Sequence, residues 1–254
     1  IVIAILSGIF LFQRFGTQKV GFFFGPAMVI WFSMLLVLGL SQIIHHPDIL
    51  KALNPVYAFE LLTQYPKGFW LLGAVFLCTT GAEALYSDLG HCGKENIRIT
   101  WIFVKIALLT NYLGQGAWLM HQGNEFLNGQ NPFYEIMPQW FLIIGIIIAT
   151  LATIIASQAL ISGSFTLINE AMQLNLWLRT KVSFPSDVRG QIYVPRVNWS
   201  LMVGCIAVVL YFQRSTNMEA AYGLAVTITM IMTTVLVAVY LLQKKTNKMA
   251  VLKE

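Results

Sequence analysis

The run WFLIIGIIIATLATIIASQALISGSFTLINEAMQ, residues 140–173, decides the fold class. It is mostly apolar, and helix-compatible from end to end. At 1.5 Å per residue such a helix extends about 50 Å, whereas a bilayer's hydrocarbon core is about 30 Å thick. Its end is therefore expected to project into water, or the helix to tilt. Similar blocks recur outward from it. Downstream lie residues 199–212, with Trp199 and Tyr211 as interface anchors, and residues 220–242, closed by Gln243-Lys244-Lys245. Upstream lie residues 97–120, 69–88 and 22–44, the last with Gly25-Pro26 near its start, where proline is tolerated. The first block, residues 1–12, is too short to span and reads as truncated.

Composition agrees. Of 254 residues, 57% are apolar and 11% charged; a soluble domain carries about 25% charged residues. Charge this sparse cannot clothe a water-soluble globule. The net charge of +5 would suggest nucleic acid if the basic residues formed one stripe, but they sit between the apolar blocks. Cys78, Cys92 and Cys205 are scattered, with no disulfide framework or zinc spacing.

Charge placement tests the segmentation. Seven spans put the segments after spans one, three, five and seven on one side. Those segments hold twelve of the sixteen Lys and Arg residues. The opposite side holds Lys51, Lys67 and Arg214, and Lys105 lies within the fourth span. The positive-inside rule makes the basic side cytoplasmic. The expected fold is an all-α, multi-pass membrane protein with seven transmembrane helices, residues 1–254 forming a single transmembrane domain of the cell (inner or plasma) membrane. The chain starts at Ile1 inside an apolar run. It is expected to be an internal fragment lacking N-terminal helices and a C-terminal end.

The third span carries the chemistry. It reads LCTTGAEALYSDLGH over residues 77–91. Glu83 falls near mid-depth, where a carboxylate is costly and usually faces a cavity or a partner. Gly81 beside it is a poor helix residue and an expected break. Carbonyls freed by a break can replace the water shell of a bare cation, and Thr79 or Thr80 adds a hydroxyl. Oxygen-only ligands suit a hard cation such as potassium or sodium. The bland reading is that Glu83 pairs with Lys105 or an arginine and fixes packing. Asp88 and His91, near the cytoplasmic end, read as a solvated or gating helix end. Lys105 either snorkels to the interface or pairs with Glu83 or Asp88. Gly114 and Gly116 permit close helix packing. The polar stripe of Ser157, Gln158, Ser162, Gly163, Ser164 and Thr166 is either helix–helix glue or cavity lining. Tyr222 opens the seventh span with Gly223, Thr227 and Thr229; it reads as an interface anchor, or as a ligand if it meets a cavity.

Several strings resemble the Kup/HAK/KT family of potassium uptake permeases. They are QRFGT at 13–17, FGPAMVIWF at 24–32, GAEALYSDLGH at 81–91, GQIYVP at 190–195 with Asn198-Trp199, and YGLAVT at 222–227. The resemblance implies a leucine-transporter-like, twelve-helix core of the amino acid–polyamine–organocation type and proton-coupled potassium uptake. It makes this chain the fourth to tenth helices and the third span here the family's broken sixth helix. It places Thr80 and Glu83 at positions handling potassium or protons, and Tyr222 near the site on the tenth helix. The other half-site, on the family's first and third helices, falls outside this chain.

The function expected is potassium–proton symport, with Thr80, Gly81, Glu83 and Tyr222 at the ion site and Asp88 and Lys105 in gating or packing. The alternative is an amino-acid or polyamine permease of the same fold. No cofactor is expected; potassium and protons are the transported ions. The partners are those ions and the lipid bilayer, with no nucleic acid, and a homodimer stays open. An enzyme is not expected: no nucleophile–base pair is convincing, and no H-E-x-x-H spacing occurs. A channel would need a pore loop such as T-V-G-Y-G, and none occurs.

Overall fold

A computed structural model describes residues 2–13, 18–65, 68–79, 94–122, 129–184 and 192–251. Nine α-helices run through these residues: α1 Val2–Phe12, α2 Gln18–His45, α3 Pro55–Gln64, α4 Gly68–Thr79, α5 Lys94–His121, α6 Pro132–Glu135, α7 Gln139–Gln173, α8 Pro195–Phe212 and α9 Ser215–Val251. Five contain stretches long and apolar enough to cross a membrane: Phe22–His45, Glu95–His121, Gln139–Gln173, Pro195–Phe212 and Asn217–Lys244. Their outer faces stay apolar. Leu224, Ile228, Met232 and Leu236 on α9 are each more than half exposed. Water would penalise that surface, while lipid does not. The first and third expected spans appear as the shorter α1 and α4, and α4 ends where residues 80–93 leave the described part of the chain.

The segment after α2, with His46, Pro47, Asp48 and Pro55, reads as a polar loop by composition but is ordered. It holds a 3₁₀ turn, Pro47–Leu53, and then α3. Asn54 starts α3: its side chain accepts from the Val56 N–H at 3.1 Å, with Pro55 at the first helical position. The same Asn-Pro device starts α6, where Asn131 accepts from the Phe133 N–H at 3.1 Å. α7 ends where its apolar run ends. Asn175 takes a left-handed φ of 57°. Leu176 N–H then bonds Ala171 O at 2.8 Å and Asn175 N–H bonds Met172 O at 3.2 Å, a Schellman closure.

Two apolar cores organise the helices. In one, Met34, Leu35 and Leu38 of α2 pack with Ile136 and Met137, joined by Leu108 and Trp118 of α5 and by Phe141, Leu142 and Ile148 of α7. In the other, Ile9 and Phe10 of α1 pack with Ile161, Phe165 and Met172 of α7, Val194, and Val197 and Leu201 of α8. α7 thus enters one core with its first half and the other with its second. Among the described residues, neither α4 nor α9 contributes to either core.

Polar side chains tie α1 into the second core. Asn198 is buried, and its Nδ2 donates to Phe10 O at 3.1 Å and to Tyr193 Oη at 3.5 Å. Interhelical hydrogen bonds of this kind contribute about 0.6–1.7 kcal/mol in membranes. Asn198→Leu in the full-length protein should therefore lower the thermal midpoint measurably, and an unchanged midpoint would show the bond to be idle.

Candidate functional site

Thr80, Gly81, Glu83 and Asp88 lie outside the described residues. The elements that hold their segment are described. α4 leads into it, ending at Thr79, and α5 leaves it from Lys94. The early turns of α9 pack on the last turn of α4. A Cβ placed on Gly223 would lie 3.1 Å from Leu77 Cδ2 and 3.2 Å from Cδ1, so only glycine fits without displacing Leu77. Leu77 precedes Thr80 by three residues. The fold therefore brings Gly223, beside Tyr222, against the last turn of α4, although some 140 residues separate the two. Tyr222 is 58% exposed. Thr227 and Thr229 donate to Gly223 O at 2.8 Å and Ala225 O at 3.0 Å within their own helix, so only their lone pairs are left for a ligand.

Lys105 is exposed, and its Nζ lies 5.3 Å from the centroid of the Trp101 ring. Trp101 is one turn nearer the start of α5, the direction in which helical side chains lean. The ammonium therefore reaches toward the basic end of the span, over an aromatic face worth about 0.5–1 kcal/mol to it. The carboxylates proposed as its partners, Glu83 and Asp88, are not among the described residues.

The polar stripe of α7 divides by face. Ser157, Ser164 and Thr166 donate to carbonyls one turn back, namely Thr153 O, Leu160 O and Ser162 O. Gln158 is buried, and Ser162 accepts from Gln13 Nε2 at 3.4 Å. That face holds helices together. Ser164 instead lines a recess beside α8. Gly114 and Gly116 on α5 do serve close packing, against Gly39 of α2 and the Ile49 side chain.

At the opposite end of α2 and α5 the imidazoles of His46 and His121 stack, their centroids 3.6 Å apart. Lys51 Nζ donates to Asp48 Oδ1 at 2.9 Å, and that bond and charge hold the Asp48 carboxyl below its usual range. A lowered carboxyl stabilises the fold above its unfolded-state value, and the contribution disappears as pH falls through the folded value. The pair is exposed and screened by salt. Lys51→Ala should therefore leave both uptake and the thermal midpoint of the full-length protein unchanged.

A family model described as "K+ potassium transporter integral membrane domain" matches residues 1–253. The chain belongs to that family. The "Probable potassium transport system protein Kup" of Cytophaga hutchinsonii is 62% identical over 247 residues, which cover 95% of this chain and 38% of the relative. The protein of the same description from Flavobacterium johnsoniae is 59% identical, covering 96% of this chain and 38% of its own length. That of Clostridium perfringens is 53% identical, covering 97% and 38%. The chain thus spans well under half the length of these relatives. No solved structure matches it. Membership of this K+ transporter family makes the five long apolar helices those of an integral membrane domain.

Within the family domain, several positions of interest carry no isolated sequence signal. Gly39 looks like any glycine in an apolar block until Gly114 is seen against it. Gln13 and Asn198 sit inside strings that mark the family, but their burial against α7 and α1 appears only in three dimensions.

Proposed function

We propose that the chain is the central part of a potassium uptake transporter, seven spans of a leucine-transporter-like, twelve-helix core that couples potassium entry to protons. The observation that carries the reading is the family match across residues 1–253, with relatives described as potassium transport proteins. In this reading α1 and α4 belong to the first and third spans, and the basic ends of the spans face the cytoplasm. The contact of Gly223 with Leu77 supports a site assembled from both helices.

Chemistry supplies the mechanism. Potassium loses its water shell to carbonyls freed at Gly81 and to the Thr80 hydroxyl. Glu83 is either a direct ligand of the ion or the group that carries the co-transported proton. The contact of Gly223, beside Tyr222, with Leu77, three residues before Thr80, supports the Tyr222 hydroxyl as an accessory oxygen. No cofactor takes part beyond the transported ions.

Rubidium uptake by the full-length protein in cells lacking other potassium uptake tests the assignment. Uptake should be competed by potassium, raised by external acid and indifferent to amino acids and polyamines. Competition by an amino acid would sink the potassium reading. Tyr222→Phe removes only a hydroxyl and should raise the apparent KM for rubidium a few-fold, about 1 kcal/mol for a lost hydrogen-bonding oxygen. An unchanged KM would remove Tyr222 from the site.

A further inference from the structure

A recess of about 490 Å³ opens between the second half of α7, the segment that follows it and the first turns of α8. One part of its wall is polar: Arg196, Ser164, Thr180 and Ser200. The other is apolar, with Leu167 and Leu201 among its residues, and Trp177 stands beside it, half exposed. Ser164 lies about 13 Å from the end of α7 by helical rise, and Arg196 sits in the first turn of α8. The recess is therefore at the depth where a span meets the membrane–water boundary, a depth that tryptophan favours.

Its charge calls for an anion. The one ion pair among the described residues joins Lys51 and Asp48, so no described carboxylate neutralises Arg196. No side chain caps α8, whose first backbone N–H groups add positive potential at the same place. No carboxylate stands among the residues that line the recess to offset Arg196. An amphipathic recess at the interface with a cationic, hydroxyl-lined end fits a molecule with an anionic head and an apolar tail.

We propose that this recess holds the phosphate head group of an anionic phospholipid, with its glycerol and upper acyl carbons along Leu167 and Leu201. Arg196 and the α8 amides take the phosphate and the Ser200 hydroxyl a further head-group oxygen, while Thr180, whose hydroxyl donates to Met172 Sδ, and Ser164, whose hydroxyl donates to Leu160 O, offer only lone pairs to a lipid hydroxyl. The proposal rests on the reading of α7 and α8 as membrane spans, but not on the identity of the transported ion.

The test uses full-length protein in nanodiscs of phosphatidylcholine, alone or with phosphatidylglycerol. Retained lipid is counted by native mass spectrometry and the thermal midpoint is recorded. Phosphatidylglycerol should raise the wild-type midpoint and be retained. Arg196→Gln should weaken its binding about fivefold, as expected for one interfacial cation. Ser200→Trp, which fills the recess without changing charge, should do the same. Lys181→Gln, outside the recess wall, should bind as wild type. Equal retention by wild type, Arg196→Gln and Ser200→Trp overturns the proposal. So does an equal loss in Lys181→Gln, which would mark diffuse surface charge. An equal midpoint rise with inorganic phosphate would mean a free-anion site. A Ser200→Trp midpoint that falls alike in both lipids would mean that protein fills the recess. Rubidium uptake is read separately: a protein that keeps lipid selectivity but carries no rubidium overturns only the transport reading.

Discussion

Full-length protein carrying Glu83→Gln should take up rubidium at least about tenfold more slowly than wild type, and the remaining uptake should ignore external pH. Tenfold is about 1.4 kcal/mol, a modest demand on a carboxylate with the role proposed for Glu83. Glutamine keeps the length and one carbonyl oxygen of the native side chain, so it can still ligate a cation. It cannot bind and release a proton. The substitution therefore separates coordination from coupling. Slow uptake with a flat pH profile assigns the proton to Glu83. Slow uptake with the wild-type profile assigns Glu83 to ion binding and moves the proton elsewhere. Undiminished, still proton-driven uptake would falsify the role given to this residue. Glu83→Asp, which restores the charge on a shorter arm, should recover part of the pH dependence.

The largest structural effect is expected at the crossing of α2 and α5. A Cβ on Gly114 would lie 2.5 Å from Gly39 Cα and 2.7 Å from Gly39 O; a Cβ on Gly39 would lie 2.5 Å from Thr110 O and 2.8 Å from Asn111 Cα. Carbon atoms rest about 3.5–4.0 Å apart, and every atom met here is backbone. No rotamer can relieve the overlap, so the two helices must part by about 1 Å. That would loosen the core of Met34, Leu35 and Leu38 and wet the buried Asn111. Overpacking costs about 1–3 kcal/mol when side chains can adjust, and more is expected when they cannot. Gly114→Ala should lower the thermal midpoint of the full-length protein by several degrees, and Gly114→Leu should abolish the monodisperse species in detergent gel filtration. Gly204→Ala is the control, because its added Cβ meets nothing within 4 Å. A Gly114→Ala protein as stable as that control would mean that the helices do not cross at these glycines.

Much of this was legible in the chain because a bilayer imposes a coarse rule. A span must be long and apolar, and residues 140–173 announce themselves on both counts. The end of α7 was legible too, since the apolar run stops beside Asn175, a residue that tolerates the left-handed turn. The helix over Pro55–Gln64 went unread. Its start signal, Asn54-Pro55, was present, but ten residues of mixed polarity show too little periodicity to tell a helix from a loop. Glu83 stood out because a carboxylate is conspicuous in an apolar setting. Its neighbours did not: the meeting of Gly223 with Leu77 depends on which faces two distant helices present, and neither segment encodes that alone. The stripe on α7 shows the same limit. Ser162 and Ser164 are two residues apart, and the roughly 200° turn between them sends one to α1 and the other to the recess.

One long rod seated in two cores has a mechanical consequence. The groups around α2 and α5, and around α1 and α8, cannot slide past each other without drawing Phe141 or Phe165 of α7 from its socket. They form a single stiff chassis. The helices α4 and α9, outside both sockets among the described residues, are sprung parts by comparison. Their opening free energies belong at the soft end of the molecule's range. Thermal agitation is thus channelled to α4, which leads into the acidic segment, and to α9, which meets α4 at Leu77, the two helices where the proposed transport needs an ion let in and let go.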